Sequence, residues 1–485
     1  MNLPQIPSGD LGTRPILQAV RGVTVLLLAQ VVVVLTGVGT QLACLHSLGL
    51  PQYGHFVTIN LMALCGSLLL LSGLPQAVRV AIAVEPRAGA KARWYLLVYH
   101  LPLTLLAAGV IAATAPVVAA ALGDQALVTP IRIAAFDIAA RTGGFEPWLM
   151  FLNATGRLHV QAFAQIAFAI ARFAAVVVAF ANGGGLVGAL MGFACISSLG
   201  LGLAIVGWAT WCSVTQAPDY GFAGQVRRAL RWTIGCDLFP LLIPFASVWL
   251  LNMFGSDLHY IGFFCACVTV STPFTTFGVV IGAGVYAEAA KSFARGDLSF
   301  LRSLVSQAAQ VLILLIAVTL ALAAVRGGEA ARLVSNSSGA GLTLGAVVLG
   351  HTCLGGMLFF LDVLVARGSL QLRFRLMLGL ACAHIIGTSV LIHTVGPAGA
   401  AMAILLSSVG GFAATVWLTR VAIGPFFRPR GIARAVSAAS VTAALVASYP
   451  RPEGVNLLLA QLASGIGIYV LCLGGMGERF VSRSA

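Results

Sequence analysis

Charge is what this chain has least of. Asp, Glu, Lys and Arg make up 9% of its 485 residues, where soluble domains carry roughly a quarter. So few charges cannot clothe a water-facing surface. Lysine is nearly missing: only Lys91 and Lys291 occur, and neither stands in the glycine spacing of a phosphate-cradling loop. The chain therefore carries no ATPase motif of its own. HExxH and GxSxG are absent too, which removes the common zinc-protease and serine-hydrolase signatures. Long polar stretches are missing, the longest outward loop running over about 326–338. That argues against a polysaccharide polymerase or ligase, which needs a large outer loop bearing Arg or His. The ten cysteines sit in apolar segments without paired or metal-ligand spacing and read as small packing residues, so no metal and no cofactor is expected. The formal charge of +14 has no basic soluble face to carry it, which argues against nucleic acid as a partner.

What remains is apolar. Hydrophobic residues make up 59% of the chain, and a membrane-spanning helix takes about 20 of them. Windows of that kind, bounded by breakers, recur at 23–46, 55–83, 94–122, 131–153, 158–181, 186–212, 233–254, 259–286, 303–325, 339–365, 374–394, 398–422, 433–449 and 456–475. The chain reads as an all-α polytopic membrane protein of about fourteen transmembrane helices. The fourth window is the weakest, because Asp137, Arg141 and Glu146 interrupt it. Arg14 and Arg21 precede the first window, yet no small-residue cleavage site leads to a soluble domain, so it reads as a retained span. Of 28 Lys and Arg, 21 fall at the N-terminus or in every second loop, 4 in the other loops and 3 inside spans. By the positive-inside rule both termini are expected in the cytoplasm. Low lysine and abundant Ala and Gly point to a GC-rich bacterial source, and the expected location is the bacterial cytoplasmic membrane.

A charge at the centre of a membrane helix costs about 2.5 to 3.5 kcal/mol, so ionisable residues inside spans are functional candidates by default. On span five Gln161, Gln165 and Arg172 share one helical face. Span two has Ser72, Gln76 and Arg79, and span one has Gln30, Gly37 and Gln41. These stripes imply a wet cavity in the first half, lined by amides and two cations. Two structural readings compete: Arg79 snorkels to lipid phosphate, and Arg172 forms an ion pair with Asp137 or Glu146. Asp137 and Arg141, four apart, are expected to neutralise each other. In the second half His351 and Asp362 share a face of span ten. Asp137, Glu146 and Asp362 are the candidates for ion coupling, with a helix-end structural role competing at Asp362.

The stretch LGLPQYGHF, 48–56, is a compact turn between spans one and two, and FGSDLHYIGFF, 254–264, echoes it between spans seven and eight. A repeat offset by six spans keeps its orientation, so the halves are expected to be parallel six-helix repeats. The expected domains are 1–232, 233–424 and a C-terminal helix pair in 425–485.

The segment LGLPQYGHFVTINLMALCGSLLLLSGLPQAV, with Leu48, Gly49, Tyr53, Gly54, Phe56, Gly73 and Arg79, resembles the opening of Wzx-type polysaccharide exporters of the multidrug/oligosaccharidyl-lipid/polysaccharide (MOP) superfamily. FLNATGRLHVQAF, with Gly156 and Arg157, and GVYAEAAKSFARGDLSFLRSL, with Tyr286, Ala287, Gly296 and Asp297, are similar to that family as well. One departure stands out: where the family often has an acidic residue late in span seven, this chain has Asn252, with Asp257 only in the loop. The resemblance implies a V-shaped, two-lobed flippase that moves polyprenyl-diphosphate-linked oligosaccharides to the outer leaflet by alternating access, for exopolysaccharide or O-antigen-like biosynthesis. Arg79 and Arg172 would meet the diphosphate, and Gln30, Gln41, Gln76, Gln161 and Gln165 the sugars. A polysaccharide polymerase, a chain-length regulator and membrane lipids are the implied partners. A cation-coupled exporter of small molecules in the same superfamily is the alternative.

Overall fold

The structure is a computed structural model that describes residues 13–71, 73–75, 77–78, 89–154, 157–211, 220–233, 238–334, 340–427, 429–449, 461 and 464–465. Among them there is no strand, so the all-α expectation holds. The backbone explains why: apolar runs in a medium without water must satisfy every N–H and C=O internally, and helices do so within one segment. The chain is a multi-pass membrane protein.

Thirteen helices follow in chain order among the described residues. Helix α1 spans Thr13–Leu71. Helix α2 comprises Gly89–Tyr95, a π turn at Leu96–His100 and Leu101–Ala121. Helix α3 comprises Val128–Ala140, a second π turn at Arg141–Phe145 and Glu146–Ala154. Then come α4 Leu158–Ala181, α5 Gly185–Trp211, α6 Tyr220–Thr233 and α7 Leu238–Met253. The remaining helices are α8 Leu258–Arg295, α9 Leu298–Val334, α10 Ala340–Ala366, α11 Leu370–Val395, α12 Gly399–Ile423 and α13 Pro429–Ser448.

Eleven helical stretches among the described residues are long and apolar enough to cross a membrane, against fourteen windows in the sequence. The difference has local causes. The first stretch, Ala29–Gly66, joins two windows; α3 is cut by its π turn and carries Arg132, Asp137, Arg141 and Glu146; and 456–475 lies mostly outside the described residues.

Helix α1 is two arms. Gly49 has φ 72° and ψ 167° and Pro51 follows it, so a left-handed glycine ends one helix and a proline starts the next. Gln41 and Tyr53 would stand about 18 Å apart on a straight helix. Instead the Tyr53 hydroxyl donates to Gln41 Oε1 at 3.0 Å, so the arms 13–48 and 50–71 fold back on one another. The short hairpin read at LGLPQYGHF is this turn.

Packing divides the chain into two compact units, Met1–Cys265 and Ala266–Ala485. In the first, an aromatic core joins the start of α2 (Ala92, Leu96), the second half of α3 (Phe145, Trp148, Leu152), the end of α5 (Ala204, Trp208) and α6 (Phe222, Val226, Ala229). The two motifs that echo each other also meet there: a Cβ placed on Gly262 would lie 1.9 Å from the Leu50 carbonyl oxygen, and one on Gly54 would lie 3.2 Å from the Gly262 backbone. Only glycine lets these backbones touch.

In the second unit α10 is the centre. Of its most apolar window 78% is buried, as suits a helix hydrophobic on all sides. Its Phe359 and Phe360 pack with Phe426, and a Cβ on Gly278 of α8 would fall 2.1 Å from the Gly355 oxygen of α10. Small residues bringing backbones together are the usual device for helix association in lipid. Two arginines close helix ends. Arg302 donates to the last carbonyl of α12, Ile423 O, and buried Arg326 donates to Val446 O at 2.7 Å and Tyr449 O at 2.9 Å at the end of α13. Cations at helix C-termini satisfy orphan carbonyls and oppose the dipole.

Candidate functional site

Helix α4 presents two unlike faces. Phe163, Ile170 and Val178 are exposed, at 73%, 48% and 59%, and form its apolar outer face. Gln161 and Val176 are buried and Gln165 half-buried on the other side, so the polar stripe read in the sequence turns into the protein. Arg172 belongs to that inner face, with a side chain 13% exposed.

Arg172 does not stand alone. Its Nη2 lies 3.2 Å from Asp137 Oδ2 on α3, and Asp137, 1% exposed, accepts the Ser197 hydroxyl of α5 at 2.5 Å through its other oxygen. The guanidinium carbon sits 3.9 Å from the centre of the Phe193 ring and 5.6 Å from that of Phe168. Phe193 packs on Phe56 of α1, and Phe168 stacks on Phe145 of α3 at 4.1 Å. Buried ions persist only when paired and hydrogen-bonded, and this pair has both, with aromatic faces completing the cage.

The expected pairing of Asp137 with Arg141 is overturned. Both Asp137 oxygens are occupied from other helices, and Arg141 Nε lies 3.3 Å from Glu146 Oε1 instead. The reason is the π turn, in which the Glu146 N–H reaches back five residues to the Arg141 carbonyl. The side chains of 141 and 146 then stand one above the other. This second pair is 23% and 44% exposed, so solvent screens it and it adds little stability. Together the four groups carry no net charge.

The π turns of α2 and α3 meet. His100 Nε2 lies 2.8 Å from the Thr142 carbonyl oxygen and must be its donor. Thr104 donates to His100 O and Thr142 to Ile138 O, each at four-residue spacing. Sequence reasoning missed His100; a histidine in the second turn of the apolar window 94–122 was the available signal.

Of the other candidates, Gln30 is half-buried on α1, and Gln41 receives the Tyr53 hydroxyl and so serves the hairpin. Gln76 and Arg79 lie outside the described residues. In the second unit Asp362 pairs with Arg373 across the turn from α10 to α11. A Cβ on Gly282 would come 2.7 Å from Asp362 Oδ2, and the Thr275 hydroxyl donates to His351 O at 2.9 Å, so His351 and Asp362 both face α8. Among the described residues no cluster of His, Cys, Asp or Glu is arranged to hold a metal.

No protein-family profile and no curated protein sequence matches the chain. Solved structures do. Lipid II flippase MurJ in an inward closed conformation aligns with a TM-score of 0.68 at 11% identity, over 95% of this chain and 100% of that one. The Vibrio cholerae MATE transporter VcmN in its bent form aligns with a TM-score of 0.59 at 15% identity, over 85% and 100%. An inward-facing multidrug resistance MATE family transporter of the MOP superfamily gives 0.54 at 15% identity, over 83% and 94%. The chain thus has the fold shared by MurJ and the MATE transporters.

Proposed function

We propose that the protein is a transporter that flips a polyprenyl-diphosphate-linked oligosaccharide across the cytoplasmic membrane by alternating access. The observation that carries this reading is Arg172, a cation held within the first unit on the same face of α4 as Gln161 and Gln165. Of its five N–H donors, Asp137 takes one. A diphosphate can be met by the others, since guanidinium groups bind phosphate oxygens in pairs. Glutamine amides suit sugar hydroxyls, and the polyprenyl tail need not leave the lipid. The likeness to a lipid II flippase over nearly the whole chain supports a lipid-linked substrate.

Arg172→Gln and Arg172→Lys test it. In vesicles holding a polyprenyl-diphosphate oligosaccharide, the glutamine variant should lose most translocation and the lysine variant should keep part of it. Wild-type rates in Arg172→Gln at equal protein abundance would sink the assignment. A second reading, cation-coupled export of a small molecule, is favoured by one feature, the buried carboxylate of Asp137. Proton- or sodium-driven dye export that fails in Asp137→Asn, with no movement of the lipid-linked sugar, would establish that reading instead.

A further inference from the structure

Helix α6 has a face that the proposed transport leaves unused. Phe222, Val226, Ala229 and Thr233 recur at helical spacing and are buried against the first unit, while Arg227, Arg228 and Arg231 are exposed on the opposite side. No acidic residue occurs in α6 or in Gly89–Tyr95. Such a helix, apolar towards the protein and cationic away from it, is built to lie along a membrane surface.

The aromatic residues beside it fix its depth. Trp94 lies 5.7 Å from Tyr95 and 5.2 Å from Tyr99, and Tyr95 lies 5.8 Å from Phe222 of α6. Tyr99 is 46% exposed. Trp and Tyr gather where hydrocarbon gives way to headgroups, because their rings are apolar and their tips polar. Lys91 Nζ stands 6.0 Å over the Phe222 ring. The arginines of α6 are therefore held at headgroup level beside the start of α2.

We infer that Arg227, Arg228 and Arg231 form a docking surface for the phosphates of anionic glycerophospholipids. Guanidinium forks match phosphate oxygens, and the ring cluster supplies the apolar boundary on which acyl chains rest. Because α6 shares one core with α2, α3 and α5, lipid bound there steadies that end of the first unit. The inference does not depend on what the protein transports.

The test uses full-length protein in uncharged detergent, titrated with dioleoylphosphatidylglycerol or dioleoylphosphatidylcholine. Retained lipid is read by native mass spectrometry and stability by thermal unfolding. The wild type should retain phosphatidylglycerol preferentially, melt higher with it, and lose both effects as salt rises. The triple variant Arg227→Gln, Arg228→Gln, Arg231→Gln should bind it about fivefold more weakly for each arginine removed. The triple lysine variant should keep the preference, which separates charge from folding. Arg295→Gln with Arg420→Gln, exposed arginines elsewhere, should leave binding unchanged. Equal phosphatidylglycerol binding by the glutamine variant would overturn the inference, as would equal loss in the Arg295 and Arg420 control. Full displacement of the lipid by inorganic phosphate at an ionic strength at which sodium chloride leaves it bound would also overturn it, pointing to a plain anion site.

Discussion

Replacing Gly262 by alanine is a sharp test of how the two echoing turns are held. The added methyl carbon would lie 1.9 Å from the Leu50 carbonyl oxygen and 2.6 Å from its carbon, whereas real Cβ contacts essentially never fall below 3.0 Å. The obstacle is backbone and cannot swing aside, so the turn after Gly49 and the start of α8 must part by about 1 Å or more. Overpacking of this kind costs about 1–3 kcal/mol. Gly54→Ala offers a graded control, because its nearest neighbour would be 3.2 Å away and a shift of a few tenths of an ångström relieves it. Thermal unfolding should rank the wild type above Gly54→Ala and Gly54→Ala above Gly262→Ala. Hydrogen exchange over 48–56 and 258–264 should rise most in Gly262→Ala. If Gly262→Ala melts and exchanges like the wild type, or if Gly54→Ala is the worse of the two, the backbone contact does not exist as described.

Other substitutions follow from the same structure. Asp137→Ala leaves the Arg172 cation caged without its carboxylate and should cost about 3–5 kcal/mol; adding Arg172→Met should restore part of that, and unfolding of the two single variants and the double decides it. Arg326→Met strands the carbonyls of Val446 and Tyr449, each losing a charged hydrogen bond worth about 1.5–3 kcal/mol, so exchange over 429–449 should rise. Asp297, at the start of α9, accepts the Phe300 N–H at 3.0 Å and the Ser299 hydroxyl at 2.8 Å, which hold its carboxyl below the usual range. A depressed folded value means that its contribution is present above the unfolded pKa, about 3.9, and is lost as pH falls through the folded one. Protection factors at the first turn of α9, with the intrinsic pH dependence of exchange divided out, should therefore fall at low pH in the wild type and stay level over that range in Asp297→Asn.

Much of the helix layout is legible in the sequence. The window 158–181 coincides with α4, because Gly183, just past the closing Asn182, takes the left-handed conformation at φ 72° that ends a helix. The hairpin at Gly49 is legible from Gly and Pro alone. Helix α6 is not, since it sits beside a membrane window and its Phe222, Val226 and Ala229 periodicity was submerged among loop arginines. The face of α4 that bears Arg172 follows from helical spacing, but its partner does not. Asp137 is 35 residues away, and which of two nearby carboxylates takes the arginine depends on a π turn that no residue in RTGGF announces. His100 and Thr142 are hidden for the same reason, because their contact exists only once α2 and α3 are packed.

That π turn sets a phase. One residue beyond the regular count rotates everything after it on α3 by about 100° relative to an unbroken helix, and this rotation brings Trp148 to Gly207, whose missing side chain leaves room for the indole. Deleting Gly143 should restore the ordinary pitch and swing the indole off α5. An alignment to any straight-helix counterpart must open a single-residue gap within 141–145, or every position from Glu146 to Ala154 will be matched to the wrong side of its helix.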